Sequence, residues 1–199
     1  MKILVATEKP FAKKAVDGIR QIVEGAGYEL ALLEKYTDKS ELLSAVADVD
    51  ALIIRSDKVT AEVIEAAKNL KIVVRAGAGY DNVDLAAATA RGIVVMNTPG
   101  QNSNAVAELA LAMMVFMARN RFTPGTGSEI QGKTLGIHAY GNVGKLVGRK
   151  GKALGMNVIA YDPFITDAAV FEADGVKKVD SLEDLYRQAA VSYTHLRAH

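Results

Sequence analysis

A glycine-bearing segment followed by an acidic residue carries the clearest chemical signal in the sequence. An apolar run, Thr134 to His138, enters the turn Ala139-Tyr-Gly-Asn-Val-Gly144, which opens a helix-compatible stretch. A second apolar run begins after Gly155 and ends at Asp162, near the spacing from the turn that dinucleotide sites use. This order of strand, glycine turn, helix, strand and acid predicts a dinucleotide-binding βαβ unit.

Each residue type in this unit has a physical task. Gly141 lets the backbone approach a pyrophosphate, and Gly144 lets the helix pack closely on the strand. The backbone N–H groups of Asn142 and Val143 lie at the positive end of the helix dipole, where they can bind phosphates. Asp162 can accept hydrogen bonds from the adenosine ribose, and its charge repels a 2′-phosphate. The predicted cofactor is therefore NAD rather than NADP.

One position departs from the usual pattern, because Ala139 stands where the first glycine is normally found. A Cβ at this position is tolerable only if φ stays negative, so the sequence predicts a slightly altered turn. The alternative interpretation is an ordinary buried βαβ unit whose glycines only permit close packing.

Two further polar segments follow apolar runs in the first half of the chain, Arg55-Ser-Asp-Lys58 and Arg75-Ala-Gly-Ala-Gly79. Each stands at the end of a predicted strand, which is where open α/β sheets bind ligands. Free backbone N–H groups in the glycine segment can hold a carboxylate.

Three cations in these segments, Arg55, Lys58 and Arg75, can together hold a phosphate. Arginine binds a phosphate through a bidentate fork, and lysine binds it as a point charge. The alternative is that these side chains are solvated or paired with neighbouring acids such as Asp57 and Asp81.

The composition excludes several classes of function. With 199 residues, half of them apolar, the chain can bury a substantial core. Its net charge of +1 gives no electrostatic reason to expect nucleic acid or an anionic membrane as a partner. The sequence has no cysteine, and its longest apolar run, Leu109 to Ala118, is too short for a membrane helix. We expect a cytoplasmic protein with no metal site.

The elements that must position these residues alternate between apolar strands and helices. Strands rich in Ile, Val and Leu that alternate with helices predict parallel sheets covered on both faces. The predicted fold class is α/β, with a flavodoxin-like substrate-binding domain over 1–98 and the first half of a Rossmann NAD-binding domain over 99–189. The predicted strands are 2–6, 29–33, 51–55, 71–75, 93–96, 134–138, the run after 155 and 176–179. The predicted helices are 11–24, 39–47, 60–69, 84–90, 105–119, the stretch after the glycine turn, 166–173 and 181–188.

The segment between the two domains, Asn97 to Ser103, breaks this alternation and predicts the crossing. Ser103 or Asn104 can cap the next helix, and core or subunit packing is expected for the apolar stripe on that helix. The stripe consists of Leu109, Met113 and Phe116. Ser181 is predicted to cap the last helix, with Asp184 in the capping-box position.

The last ten residues, 190–199, carry a different signal. Val191 to His199 matches the translation of a transposase-type sequencing adapter, so the sequence predicts a non-native tail that contains His195 and His199. The alternative is a native polar tail. These residues are left out of both predicted domains.

Four motifs taken together resemble those of the D-isomer-specific 2-hydroxyacid dehydrogenases. They are the glycine turn, Arg75-Ala-Gly-Ala-Gly-Tyr-Asp-Asn-Val-Asp84, Asn97-Thr-Pro99 and Asn102-Ser-Asn-Ala-Val-Ala-Glu108. The resemblance covers residues 1–189, and it also includes the order of the domains, since the nucleotide motif comes second.

The resemblance implies that the full-length protein transfers hydride from C2 of 3-phosphoglycerate to NAD and yields 3-phosphohydroxypyruvate. It implies a substrate site composed of Arg55, Ser56, Lys58, Arg75, Ala78, Gly79 and Asn102. It implies a cofactor site composed of Ala78, Val106, Gly141, Asn142, Val143, Gly144, Tyr161, Asp162 and Pro163. Helix capping is the alternative role of Asn102, and a plain core contact is that of Val106.

The family's catalytic Arg, Glu and His are expected beyond residue 199, so the chain alone is expected to be inactive. His138 is expected to serve packing or hydrogen bonding. The resemblance also implies a homodimer or homotetramer when the protein is full-length.

Three other functions stay open. The protein could be another dehydrogenase of the family, acting on glyoxylate, hydroxypyruvate or lactate, or an NAD-sensing binding protein similar to the transcriptional corepressors that resemble these enzymes. The fragment could also have no function by itself. In that case the helix over 105–119 and the strand after Gly155 would expose apolar surface, and the fragment would be poorly soluble.

Overall fold

The structure, a computed structural model, describes residues 1–194. The chain divides into two compact units, Met1–Pro99 and a second unit that begins at Gly100. Each unit has its own sheet and its own hydrophobic core. Over the part of the chain that the structure describes, no helix is long and apolar enough to cross a membrane.

The first unit is a five-stranded parallel sheet in the order β2-β1-β3-β4-β5. This is the flavodoxin-like strand order, so the predicted doubly wound fold is confirmed. The strands are β1 (Lys2–Thr7), β2 (Glu29–Glu34), β3 (Ala51–Ile54), β4 (Ile72–Arg75) and β5 (Val94–Asn97). The helices are α1 (Lys13–Gly25), α2 (Lys39–Ala45), α3 (Ala61–Ala66) and α4 (Leu85–Ala90).

Three strands of this unit, β1, β3 and β4, lie between other strands, and their apolar residues form much of the core. Leu4 of β1, Leu52 of β3 and Val73 of β4 are register partners on one face of the sheet and are almost completely buried, because α2, α3 and α4 pack against that face. On the other face Val74 is only partly buried and Met96 is exposed. All five strands are parallel, so their carboxyl ends lie at one edge of the sheet, and the strand order changes direction between β1 and β3. Open sheets of this order bind ligands at that edge.

The second unit contains a four-stranded parallel sheet in the order β8-β7-β6-β9. This arrangement is consistent with the predicted truncated Rossmann domain. Its strands are β6 (Thr134–His138), β7 (Asn157–Tyr161), β8 (Lys177–Lys178) and β9 (Val191–Thr194). Its helices are α5 (Ser103–Ala118), α6 (Asn142–Ala153), α7 (Ala169–Glu172) and α8 (Leu182–Gln188), and a 3-10 turn covers Asn120–Phe122.

Strand β9 lies inside the segment that the sequence analysis left out of both domains. It pairs in parallel with β6, with Val191 opposite Leu135, and Val191 packs against the core of the unit. Part of the segment therefore joins the sheet. Its predicted non-native origin stays a prediction, and residues 195–199, which include His195 and His199, lie outside the described residues.

Two expectations about apolar surface were wrong in part. Leu109, Met113 and Phe116 of α5 are 61%, 53% and 38% exposed, so the stripe is not core. The buried face of α5 instead carries Ser103, Ala107, Ala110 and Leu111. The first three have small side chains, which favour close packing of α5 on α6. By contrast, β7 exposes little apolar surface, because it lies between β6 and β8.

The helix starts also test the expected caps. α5 begins at Ser103 with Asn102 as N-cap residue and without a side-chain cap bond, so Ser103 and Asn104 are not the caps that we expected. The Asn104 amide instead donates to Glu108 Oε1 at 2.6 Å. Ser181 caps α8 as predicted, since its hydroxyl accepts from the Asp184 backbone N–H at 3.0 Å.

Candidate functional site

The turn that connects β6 to α6 leaves its backbone open. Gly141 is the N-cap residue of α6, and a Cβ placed on it would meet no atom within 4 Å. The N–H groups of Asn142 and Val143 belong to the first turn of α6 and have no hydrogen-bond acceptor within residues 1–194. Unoccupied N–H groups at the positive end of a helix dipole fit the phosphates of a dinucleotide.

Close packing of α6 on β6 depends on glycine. A Cβ on Gly144 would lie 2.2 Å from the carbonyl oxygen of Ala139, and one on Gly151 would lie 2.8 Å from Leu135 Cδ2. Gly148 lies on the same buried face of α6. The packing part of the Gly144 prediction therefore has a geometric basis, and a methyl group at position 144 would push the helix away from the turn.

Ala139 contradicts the sequence-based expectation about its conformation, because its φ is +80° rather than negative. The N–H of Ala139 still bonds to the Tyr161 carbonyl at 2.9 Å, so the residue continues the line of β6 before the chain turns. The Cβ of Ala139 makes this conformation unfavourable by of order 1 kcal/mol.

Asp162 lies beside this turn at the end of β7. Its Oδ2 accepts from the Tyr140 backbone N–H at 2.8 Å, and its Oδ1 accepts from the Phe164 N–H at 2.9 Å. A carboxylate has further lone pairs on both oxygens, so it can still accept from ribose hydroxyls. Tyr161 is partly buried, and Pro163 is exposed.

The sequence analysis missed the role of Tyr140, the residue between Ala139 and Gly141. Its ring is fully buried and stacks on Phe171 with centroids 4.6 Å apart. Its hydroxyl donates to Asp174 Oδ2 at 2.9 Å, and Arg149 Nε donates to Asp174 Oδ1 at 2.6 Å. No local pattern could reveal this contact, because Asp174 follows Tyr140 by more than 30 positions.

Burial shapes the ionisation of this cluster. It raises the pKa of Tyr140 above its ordinary value, and the hydrogen bond to Asp174 raises that pKa further. Burial also tends to raise the pKa of Asp174, but the hydrogen bonds from Arg149 and Tyr140 outweigh it, so the pKa of Asp174 is lowered. At neutral pH the cluster therefore holds a neutral tyrosine against a charged carboxylate.

In the first unit, side chains fix the loops at the carboxyl edge of the sheet. Arg75 is buried, and its Nε donates to the Arg55 carbonyl at 2.9 Å. Its guanidinium lies over Gly77, where a Cβ would be 1.6 Å from Nη1. Asn97 donates to the Ala78 carbonyl at 2.6 Å. The glycine segment thus keeps one shape because two side chains hold it.

Asp57 connects three strand ends. Its buried carboxylate accepts from the Glu8 N–H at 2.8 Å, the Tyr36 hydroxyl at 2.7 Å and the Arg55 N–H at 3.3 Å. Burial, and then the hydrogen bond to Asp57, raise the pKa of Tyr36. Because Asp57 is engaged by these donors, it does not pair with the cationic side chains as the alternative interpretation suggested.

Arg55 and Lys58 both project from this edge and are exposed, as is Ser56. Within residues 1–194 no carboxylate lies within 4 Å of the side-chain nitrogens of either cation. A cavity of about 460 Å³ opens beside Ser56 and Lys58. It is lined by Glu8, Tyr36, Thr37, Lys39, Leu42, Ser56, Asp57, Lys58 and Thr60.

The predicted site residues are divided between the two units. The first unit holds Arg55, Ser56, Lys58, Arg75, Ala78 and Gly79, and the second holds the others. Asn102 stands at the start of α5 without a capping hydrogen bond, and Val106 is half-buried on the same helix. His138 Nδ1 lies 3.0 Å from the Tyr186 hydroxyl, which fits its expected structural role.

Comparison with known proteins places this geometry in a family. The family described as D-isomer specific 2-hydroxyacid dehydrogenase, catalytic domain, matches residues 4–195. The chain is 43% identical over 197 residues to a D-3-phosphoglycerate dehydrogenase of Archaeoglobus fulgidus. The aligned region covers 90% of this chain and 35% of that protein. It is 44% identical over 149 residues to a hydroxypyruvate reductase of Thermotoga maritima, which covers 68% of this chain and 49% of that protein.

A solved structure shows the same similarity in three dimensions. The NAD⁺-bound 3-phosphoglycerate dehydrogenase of Entamoeba histolytica is 47% identical, with a TM-score of 0.90. The match covers 100% of this chain and 63% of that one, so the chain spans only part of the length of these relatives. The glycine turn, the acid beside it and the family match together lead to one conclusion: the chain belongs to the D-isomer specific 2-hydroxyacid dehydrogenases.

Proposed function

We propose that the chain forms the substrate-binding unit and the first half of the cofactor-binding unit of an NAD-dependent oxidoreductase. The observation that carries the proposal is the position of Asp162, whose carboxylate is fixed by the Tyr140 N–H at 2.8 Å. It lies beside the same turn that presents the open N–H groups of Asn142 and Val143. A pyrophosphate and the adjoining ribose need these two features next to each other.

In this proposal, the segment from Gly141 to Gly144 receives the pyrophosphate and Asp162 receives the adenosine ribose. Tyr161 and Pro163 flank the acid, while Ala78 and Val106 contribute nearer the nicotinamide. NAD, when bound, accepts a hydride from the substrate. The residues of this chain bind and orient the cofactor, and the negative charge of Asp162 disfavours a 2′-phosphate.

The proposed substrate is 3-phosphoglycerate, oxidised to 3-phosphohydroxypyruvate, the reaction that begins serine biosynthesis. Two observations support a phosphorylated substrate: the relatives named as 3-phosphoglycerate dehydrogenases, and the exposed Arg55 and Lys58 side chains, which no carboxylate in residues 1–194 neutralises. In the proposal these cations and Ser56 hold the phosphate. The N–H groups of Ala78 and Gly79 hold the carboxylate, and Asn102 also contacts the substrate.

We propose a different role for Arg75 from the substrate contact that the sequence predicted. Because its guanidinium is buried and bonded to the Arg55 carbonyl, we assign it to shaping the cationic loop and the glycine segment. The proton acceptor and the cation that polarises the developing carbonyl are proposed to come from the rest of the protein. The chain alone is therefore proposed to be catalytically inactive.

The predicted limits of the units, 1–98 and 99–189, and the non-native origin of 190–199 stay proposals. So does association into a homodimer or homotetramer, for which the exposed stripe of α5 is the proposed contact. A cytoplasmic location stays a prediction from the sequence.

A second candidate is reduction of hydroxypyruvate, and the 44% identity to the Thermotoga maritima hydroxypyruvate reductase favours it. The two candidates differ in the need for a phosphate-binding cluster. Replacement of Arg55 by alanine in the full-length protein should weaken 3-phosphoglycerate binding if the first candidate is right. Unchanged 3-phosphoglycerate binding would favour the second.

Asp162→Ala tests the cofactor proposal. The variant should bind NAD about tenfold or more weakly, because hydrogen bonds to a charged acceptor are worth about 1.5–3 kcal/mol. Its preference for NAD over NADP should also fall. Isothermal titration of both nucleotides measures the two effects, and Asp180→Ala, which removes a 91% exposed side chain, is the matched control. Equal NAD affinity in the parent and Asp162→Ala would reject the assigned role of Asp162.

A further inference from the structure

The nucleotide turn begins with a strained residue. Ala139 has φ +80°, a conformation in which a side chain costs roughly fivefold or more in population. Such strain persists only where the surrounding structure determines the backbone from several sides. Some feature of the second unit must therefore hold this turn against its own preference.

The next residue supplies two anchors in opposite directions. The backbone N–H of Tyr140 bonds to Asp162 at 2.8 Å on the ligand side. The Tyr140 side chain points inward, where its ring stacks on Phe171 and its hydroxyl bonds to Asp174 at 2.9 Å. Helix α6 leaves room for the ring, because a Cβ on Gly148 would lie 3.3 Å from its edge and its hydroxyl.

The inner anchor is itself fixed. Arg149 on α6 donates to Asp174 at 2.6 Å, and the Asp174 side chain is only 7% exposed. Asp174 also lies in a tight turn, with its N–H bonded to the Phe171 carbonyl at 3.0 Å. A rotation of Tyr140 that relaxed Ala139 would therefore break the hydrogen bond to a largely buried carboxylate, which is costly.

We propose that Tyr140, Asp174 and Arg149 form a clamp that holds the strained Ala139 turn in the one geometry that receives the nucleotide phosphates. The three are positioning residues, since they act through the turn and do not themselves contact the cofactor. This inference rests on the proposed NAD-binding function and extends it to residues outside the predicted site.

The proposal makes a specific statement about populations. If the clamp is weakened, the turn populates a relaxed form with negative φ at Ala139. The apparent association constant for NAD is then the intrinsic constant multiplied by the fraction of molecules that keep the competent form. Glycine at position 139 removes the strain, because glycine adopts positive φ without penalty. The effect of losing the clamp should then disappear, although the lost hydrogen bond has not been restored.

The test compares Tyr140→Phe, Ala139→Gly and the double variant by NAD titration on the full chain. Tyr140→Phe should bind NAD roughly five- to tenfold more weakly, and Ala139→Gly alone should bind it as the parent does. The double variant should return to the affinity of the parent. Arg149→Gln, which alters an exposed side chain and should leave folding intact, should weaken binding less and be rescued in the same way.

Tyr36→Phe is the matched control, because it removes the same kind of tyrosine–aspartate hydrogen bond in the first unit and should leave NAD affinity unchanged. Hydrogen exchange of the amides of residues 139–145 gives a readout without ligand. It should be faster in Tyr140→Phe and return to the parental rate in the double variant.

The outcomes separate the two claims. An equal loss of NAD affinity in Tyr140→Phe and in the double variant would mean a general structural defect and would overturn the clamp. So would unchanged affinity in Tyr140→Phe. Failure of the parent chain to bind NAD, with exchange that still responds to the variants, would overturn the proposed function and with it the nucleotide role of the clamp, but not the mechanical coupling.

Discussion

The loops at the carboxyl edges of the two sheets are shaped by different kinds of contact. In the first unit, long polar side chains hold the loops, since Arg75, Asp57 and Asn97 each bond to loop backbone. In the second unit, the absence of side chains shapes the turn, since Gly141 leaves the N–H groups open and Gly144 admits the helix. In our proposal the difference follows from the two ligands, because backbone N–H groups suit a pyrophosphate, whereas projecting cations suit a separate phosphate.

A tyrosine–aspartate hydrogen bond lies below each edge. The two pairs differ in which of the two residues also bonds to other segments. In the first unit the carboxylate of Asp57 is the hub, and Tyr36 is one of three donors to it. In the second unit Tyr140 is the hub, because its backbone and side chain join Asp162 to Asp174. Removal of the acid should therefore disturb the first unit more, and removal of the hydroxyl should disturb the function of the second.

The largest expected difference between the two edges comes from matched glycine substitutions. Gly144→Ala should destabilise the second unit by about 3 kcal/mol or more, because its Cβ would meet backbone at 2.2 Å. Gly77→Ala should cost the first unit only about 1 kcal/mol, since the Arg75 guanidinium can move aside and lose one hydrogen bond.

Urea unfolding followed by circular dichroism measures both substitutions, and hydrogen exchange assigns each loss to its unit. An equal cost at the two positions would refute the distinction between an edge held by backbone packing and one held by side chains.

The acids give the next largest difference. Asp57→Ala should lower the free energy of unfolding by about 2–3 kcal/mol, since it leaves buried donors from three strand ends without an acceptor. Asp174→Ala should cost less, about 1–2 kcal/mol, because only the buried Tyr140 hydroxyl loses its acceptor, while Arg149, whose side chain is 59% exposed, can turn to water. Calorimetric unfolding of both variants beside the parent tests this order, and a larger loss in Asp174→Ala would reverse our account of the hubs.

High pH should give the smallest effect and act on both units. Burial raises the folded-state pKa of Tyr36 and of Tyr140 above the ordinary value of about 10. The stabilisation from each neutral tyrosine is fully present below about pH 10 and is lost as the pH rises toward the raised pKa. At pH 11, the loss from each tyrosine should lower the free energy of unfolding by roughly 1 kcal/mol. Unfolding at pH 8 and pH 11 should show a smaller pH dependence in Tyr36→Phe and in Tyr140→Phe than in the parent.

The fold was largely predictable, because alternation of apolar strands and helices constrains a parallel sheet strongly. All eight strands expected before residue 190 form, with ends that shift by one or two residues, and α8 begins at the predicted cap. The failures concern contacts between distant segments. The exposure of Leu109 and Met113 depended on which face of α5 meets α6, and small residues such as Ala107 and Ala110 on the opposite face decided that.

The site shows the same division. The order of glycine turn and acid predicted that Asp162 would lie near the turn, because strand ends of a βαβ unit meet at one edge. The sign of φ at Ala139 was predicted wrongly, because a prediction from the local steric preference of about 1 kcal/mol does not include contacts with distant segments, such as the proposed anchors of Tyr140. Likewise, the segment Arg55 to Lys58 signalled charge, but not that Asp57 would be turned inward.

The sequence by itself determined the periodicity, the glycines and the charges, and therefore the fold class, the family and the edge of each sheet that we propose as a binding edge. These features depend only on the residue types and on their spacing along the chain, so they can be identified before the chain folds. Tertiary structure alone decided which polar groups are buried together, as Tyr140 with Asp174 or Arg75 with the Arg55 carbonyl. Such pairs form between segments far apart in the chain, and the energy that selects them exists only after the strands and helices have packed.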